Sequence, residues 1–247
     1  GYAFGDDGMG NKPMDYNGHG THVAGIVAAS ENNIGVIGVA PKVKIMILKT
    51  RSKTKYFVAD IVESLDYAIN MGATLVTSSI GGSDYSKAYL EALERLDKAN
   101  MLYVQAAGNH GKNLKSFTVY PPSYNTRNMI NVGNHSGNGK KWMNSNVGAK
   151  SVGLFAPGVN ITSLTNKDFY AGRSNNGYGY KRMGGTSMAA PHVAGALALL
   201  YSIEPNIDHL EAKERLLSTV AKERSLKNKC VSGGRLDINR LLRNIRD

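Results

Sequence analysis

One cysteine, Cys230, stands in 247 residues, so no intramolecular disulfide can staple this chain. A core of this size needs no staple, so the missing bridges do not fix a compartment, and Cys230 reads as an incidental thiol. Acidic residues are also short: 19 Asp and Glu stand against 30 Lys and Arg, for a net charge of +11. The bases are dispersed, except for a denser stretch from Lys222 to Arg246 that reads as amphipathic helices with solvated basic faces. That distribution predicts no nucleic-acid partner and suits attraction to acidic substrates or anionic surfaces. Apolar runs break well short of the length that spans a bilayer, so no membrane span is expected. No repeat, low-complexity tract or linker divides the sequence, which predicts one domain over residues 1–247 acting as a monomer.

Short apolar runs alternate with segments of helical period. Val43 to Lys49, Thr74 to Ile80, Met101 to Ala107, Met129 to Gly133 and Ser151 to Ala156 read as strands. Ala59 to Met71, Tyr85 to Ala99, Gly185 to Ile203, Asp208 to Val220 and Asp237 to Ile245 read as helices. Strand and helix in alternation predict an α/β fold: a mostly parallel central sheet covered by helices on both faces. Sites in such sheets form at the C-terminal ends of strands. Ser79 to Gly82 and Ala106 to Gly111 lie at such ends.

Two segments are rich in small residues and carry chemistry. In Gly-Gly-Thr-Ser-Met-Ala-Ala-Pro-His-Val-Ala-Gly (184–195), a glycine turn delivers Ser187 to the first turn of an apolar helix. Its hydroxyl and its own N–H then face the same space, which suits a nucleophile that also helps bind an oxyanion. Pro191 falls early in that helix, where a missing N–H costs least. In Asn-Gly-His-Gly-Thr-His-Val-Ala-Gly (17–25), His19 opens a second small-residue helix and can face a cleft as a general base. His22, one turn on, reads as structural, because no third ligand is spaced to make a metal site with it. Asn109 ends a strand in Ala-Ala-Gly-Asn-His-Gly, where a rigid carboxamide N–H is a good oxyanion donor. Singly, these residues read as a capping histidine, a helix cap and a turn asparagine. Together they are far more specific.

On these motifs, with Asn-Asn-Ile-Gly-Val-Ile-Gly-Val-Ala-Pro (32–41), Thr-Ser-Ser-Ile-Gly-Gly (77–82) and Ala-Pro-Gly (156–158), the chain resembles the subtilisin-like serine proteases from Asp15 to Arg240. The resemblance implies a three-layer subtilisin-like fold and a serine endopeptidase. It implies Ser187 as nucleophile, His19 as general base, and Asn109 with the Ser187 N–H as oxyanion donors, supported by Thr186. Ser79, Ile80 and Gly81 match one wall of the primary specificity pocket, and Ala106, Ala107 and Gly108 match the other. Ser79 and Gly81 would also pair with a protein or peptide substrate as an added strand. Tyr120-Pro121 matches a bond that is often cis in the family. Ser30, Asn32, Ile34 and Val36 match donors of a structural calcium loop, and no organic cofactor is implied. The family is usually secreted or vesicular and made as a zymogen, with an upstream pro-segment acting as an intramolecular inhibitor.

The pattern departs from the family in several places. The family's catalytic aspartate lies on a strand well upstream of the histidine, and only 18 residues precede His19. Asp6 and Asp7 resemble its turn weakly, with no apolar strand before them, and Asp15 is a poorer candidate. The expectation is a partial sequence that lacks the aspartate strand, leaving two unpaired strand edges facing each other. The rival expectation is a catalytically impaired binding protein that keeps the fold. Lys53 to Phe57 replaces a glycine-rich segment beside the substrate and makes the outer pockets narrower and more basic. His110 at the pocket rim disfavours a basic residue before the cleaved bond. Asn134 and Asn160 each open an Asn-x-Ser/Thr sequon.

Overall fold

The apolar periods described above sort into two helical layers around one sheet. The computed structural model describes residues 1–5, 10–51, 56–166 and 179–243. The helices of the first half are α1 (His19–Ala28), α2 (Val58–Asn70) and α3 (Lys87–Lys98). Those of the second half are α4 (Thr186–Ile203), α5 (His209–Ser218) and α6 (Ile238–Arg243). The strands are β1 (Tyr2–Ala3), β2 (Leu48–Lys49), β3 (Leu75–Ser78), β4 (Leu102–Ala106), β5 (Met129–His135), β6 (Leu154–Pro157), β7 (Ile161–Leu164), β8 (Tyr180–Met183), β9 (Ala221–Lys222) and β10 (Gly234–Arg235).

The main sheet has the order β3-β4-β5-β6-β10-β9 and is parallel except for the β9–β10 pair. β4 and β5 are buried along their whole length, as expected of parallel strands covered on both faces. Alternate side chains of β4 serve opposite layers. Leu102, Val104 and Ala106 pack with Val193, Leu197 and Leu200 of α4. Tyr103 packs with Leu65 of α2 and Leu93 and Leu96 of α3. Gly25 brings α1 close to β7: a Cβ there would lie 2.4 Å from the Ser163 hydroxyl. α4 has 18 residues and mean hydropathy 1.2, which is long and apolar enough to cross a bilayer, but 67% of it is buried as the central core helix.

Two sequence expectations are corrected, and one hairpin is added to them. Lys222 to Arg235 forms no amphipathic α-helix: apart from one 3-10 turn at Arg224–Leu226, β9 and β10 form an antiparallel pair, and β10 extends the sheet beside β6. The hairpin β7–β8 was not expected. Of the strand expected over Val43 to Lys49, only Leu48–Lys49 forms, paired in parallel with β1 in a small separate sheet.

That shortening has a visible cause. Between residues 43–51 on one side and residues 73–80 on the other lies a cleft of about 1850 Å³. The free edge of β3 faces it, and all four β3 residues are half-buried although their sequence is that of an interior strand. Ile45 and Ile47 are exposed for the same reason. A strand without a neighbour has unpaired N–H and C=O groups and loses its reason to be extended.

Three histidines, His22 of α1, His192 of α4 and His135 at the end of β5, are kept neutral by their surroundings. Burial pushes the imidazoles of His22, His135 and His192 below their ordinary value near 6.5. Folded, they refuse protons that the unfolded chain accepts, so stability rises with pH through that window and is lost as pH falls below about 6.5. Thermal or urea midpoints measured from about pH 5 to pH 7.5 are expected to fall on the acid side, by up to about 1.4 kcal/mol per pH unit for each such proton. A midpoint flat through this range would remove the argument.

Candidate active site

α4 begins at a turn that only glycine tolerates. Gly185 has φ of +134°, and the Asn109 carboxamide lies 3.2 Å from where a Cβ would stand. This contact brings the end of β4 to the start of α4. Asn109 Oδ1 accepts the Thr186 N–H at 2.8 Å and the Thr186 hydroxyl at 3.1 Å, and the Gly108 N–H donates to that hydroxyl at 3.1 Å. The oxygen end of the carboxamide is therefore pinned, and its Nδ2 is the end left for a ligand. Ser187 follows Thr186 directly.

Pro191 lies in the second turn of α4, where its missing N–H leaves the Ser187 carbonyl without the usual partner four residues on. The Ser79 hydroxyl donates to that carbonyl at 3.0 Å. The proline thus ties the first turn of α4 to the end of β3. The Ser187 hydroxyl points the same way, donating to the Ser79 carbonyl at 3.4 Å. Gln105 binds the two walls together: its buried Nε2 donates to the Ile80 and Ala106 carbonyls, each at 2.8 Å. Ser79, Ile80 and Gly81 therefore stand beside Ala106, Ala107 and Gly108 at the ends of adjacent parallel strands. Tyr120-Pro121 is cis, and Gly82 bridges Tyr120 in antiparallel fashion.

His19 is the first residue of α1 and lines the cleft with Ser79 and Ile80. Burial pushes its imidazole below the ordinary value; the Asp15 carboxylate raises it and the Arg51 cation lowers it. The ring is therefore neutral near pH 7, the state a general base needs. His19 and Ser187 share no hydrogen bond. Asp15 is spent elsewhere: Oδ1 accepts the Asn17 and Gly18 N–H groups, and Oδ2 accepts the Thr21 N–H and hydroxyl, all at 2.7–2.8 Å. Burial alone would raise its pKa, but these donors outweigh that and hold it below the ordinary carboxylate value. Asp15 thus caps the first turn of α1 from outside the helix, with Gly18 in the N-cap position. Asp6 and Asp7 lie outside the described residues, as do Lys53, Thr54 and Lys55.

His22 is structural: its Nε2 lies 3.1 and 3.0 Å from the carbonyls of Ile161 and Lys181, one on each strand of the β7–β8 hairpin. The segment with Ser30, Asn32, Ile34 and Val36 is largely exposed, and Asn32 Oδ1 already accepts the Ile34 N–H at 3.1 Å. It offers neutral oxygens without a convergent carboxylate, and no group of three His, Cys, Asp or Glu able to hold a metal exists among the described residues. Alone, these four residues do not fit a calcium site. The His110 ring lies 5.0 Å from that of Phe117.

One supporting residue carried no sequence signal. Asn146, fully buried, accepts the N–H groups of His110 and Lys112 and donates to the Ala107 carbonyl, at 2.9–3.1 Å. Its own N–H binds the Gly108 carbonyl. It fixes the whole loop that presents Asn109, yet in the sequence it is one asparagine in a turn-rich stretch.

The subtilase family model matches residues 2–233. The chain is 37% identical to Subtilisin DY of Bacillus licheniformis over 207 residues, which is 83% of this chain and 71% of that protein. It is 38% identical to the Major intracellular serine protease of Bacillus subtilis, covering 81% of this chain and 60% of that one. It is 34% identical to Subtilisin-like protease 1 of Plasmodium falciparum over 92% of this chain, which is only 35% of that longer protein. Among solved structures, a cold adapted subtilisin-like serine proteinase superposes with a TM-score of 0.73 at 28% identity, over 91% of this chain and 74% of that one. The protease domain of PatA gives 0.77 at 24% identity, over 93% and 82%, a likeness of fold. Relatives named as intracellular stand beside the others, so kinship does not fix a compartment. By sequence and by fold, the chain belongs to the subtilase family and is of the subtilisin-type serine protease class.

Proposed function

We propose that the chain is a serine endopeptidase domain in which Ser187 attacks the peptide carbonyl and His19 accepts the hydroxyl proton. The observation that carries this reading is the Asn109–Thr186 clamp, which holds a carboxamide N–H donor beside the N–H of Ser187. As the carbonyl becomes tetrahedral, its oxygen gains charge, and those two donors stabilise it. His19 then passes its proton to the leaving amine, and water repeats the sequence in reverse to release the acyl group. The substrate lies extended along Ser79 to Gly81, adding a strand to that wall, with the side chain before the scissile bond between the two walls. For attack, the Ser187 hydroxyl must turn from the Ser79 carbonyl to His19.

We further propose that the cleft between β2 and β3 takes one extended strand carrying an acidic residue next to His19. The half-buried edge of β3, the truncated β2 and the saturated oxygens of Asp15 support this. The proposal includes a secretory location. Asn160 is exposed in its turn, whereas Asn134 is buried with its Nδ2 on the Gly158 carbonyl, so only Asn160 could carry a glycan in the folded domain.

The test of the nucleophile is covalent: a fluorophosphonate is expected to label the protein on the peptide containing Ser187, and Ser187→Ala to lose the label. A well-folded protein with its cleft filled that takes no label would instead be a binding protein of this fold. Asn109→Ala is expected to lower kcat by about 10²–10³-fold with KM little changed, the range seen for removing one such donor in a subtilisin. A change confined to KM would assign Asn109 to ground-state binding.

A further inference from the structure

We propose that Lys141 is a positioning residue for the oxyanion donor: its ammonium is a tethered cation that holds the turn 142–145, and that turn holds the loop carrying Asn109. The proposal rests on the peptidase reading and names a further residue on which that reaction depends. Lys141 Nζ donates to the carbonyls of Trp142, Met143 and Ser145 at 2.8, 2.9 and 3.2 Å. An ammonium has three N–H donors, and here each has its own carbonyl. Carbonyl oxygens that converge on one point repel one another, and a cation between them reverses the sign. Rings of backbone carbonyls hold monovalent cations in the same way. Met143 is 72% exposed and Trp142 is also exposed, so apolar burial does little to shape this turn.

The turn stands between a fixed base and the Asn109 loop. At its base, the Trp142 N–H donates to the Asn134 carbonyl at 3.0 Å, and the Ser145 hydroxyl accepts the Asn134 N–H at 2.9 Å, near the end of β5. Toward the loop, the Asn144 carbonyl accepts the Gly111 N–H at 2.8 Å. Asn146, directly after the turn, holds Ala107, Gly108, His110 and Lys112. A Cβ on Gly111 would lie 2.9 Å from the Met143 carbonyl, one of the three on Lys141, so the two loops touch where the cation sits. Thr186 pins the carboxamide oxygen of Asn109. Residues 107–112 set the backbone from which that carboxamide hangs, and their position follows the shape that Lys141 gives the turn.

The experiment uses the full chain with its cleft filled. Lys141→Ala is expected to lower kcat by about 10- to 100-fold with KM little changed, the scale of a small misplacement of a catalytic group. In an Asn109→Ala background the same change should cost less than about twofold, since nothing is left to position. Methylammonium added to Lys141→Ala should restore kcat and slow the hydrogen exchange of the His110 and Lys112 amides, a gain that a misfolded variant cannot give. Tetramethylammonium, which has no N–H, should do neither. Lys141→Met, whose side chain fills the space without charge, should be as slow and beyond rescue. Losses that multiply in the Asn109→Ala background, amide exchange unchanged in Lys141→Ala, or no rescue by methylammonium overturns the proposal. Failure of the peptidase reading is seen separately, as absence of a fluorophosphonate adduct in the unaltered protein, and the exchange measurement then still decides whether Lys141 holds the loop.

Discussion

Filling the cleft between β2 and β3 with a strand whose acidic residue meets His19 is expected to raise peptide turnover on the order of 10⁴-fold over the same strand carrying asparagine. The size of the effect follows from what His19 must do. A neutral imidazole takes the Ser187 proton only if its tautomer places the lone pair toward the hydroxyl, and the resulting imidazolium needs a counter-charge in a partly buried site. Asp15 supplies some charge, since it raises the His19 pKa, but its two oxygens are held by the Asn17, Gly18 and Thr21 donors. It cannot orient the ring without uncapping α1. The strand, supplied as a fused segment or a peptide, should also raise the unfolding midpoint, because it pairs the free edge of β3 and covers Ile45 and Ile47. Measuring kcat and the midpoint for the Asp and Asn strands separates the two effects: both should stabilise, and only Asp should accelerate. If the Asn strand gives equal turnover, the carboxylate has no part in this enzyme.

Ser187→Ala is expected to cost about 10⁶-fold in kcat when the cleft strand carries its carboxylate, and only about 10²-fold when it carries asparagine. The two numbers differ because, in the proposed mechanism, serine, histidine and carboxylate act as a unit: a serine whose base is misoriented contributes little, so little is lost with it. For the same reason His19→Ala in the Ser187→Ala background should cost almost nothing more. Whatever rate survives all three changes comes from Asn109, the Ser187 N–H and substrate placement, which do not depend on proton transfer. Losses that simply multiply would mean that Ser187 and His19 act independently, and the mechanism would need another base.

The parts of this site legible in the sequence are those set by neighbours in the chain. Gly184-Gly185 before Ser187, Asn17-Gly18 before His19 and Gly108 before Asn109 state their turns directly, because turn chemistry spans only a few residues. The helices α2 and α3 announce themselves by period, and the strands β4 and β5, buried on both faces, by short apolar runs bounded by turn residues. The two-residue strands β9 and β10 cannot show a period: β10 forms against the edge of β6, and β9 in turn against β10. The hairpin β7–β8 is equally silent, being held in place by His22 from a helix far away in sequence.

Sequence alone determined which residues carry reactive groups, and that an α/β sheet presents two of its strand ends as walls. Only the tertiary structure decided what each group is free to do. It spent Asp15 on capping the first turn of α1, passed the carbonyl that Pro191 leaves unserved to Ser79, and fixed Asn109 through Thr186 and Asn146. A residue's type fixes its chemistry, but whether its hydrogen bonds are already occupied depends on groups up to a hundred residues or more away, which only folding brings within reach.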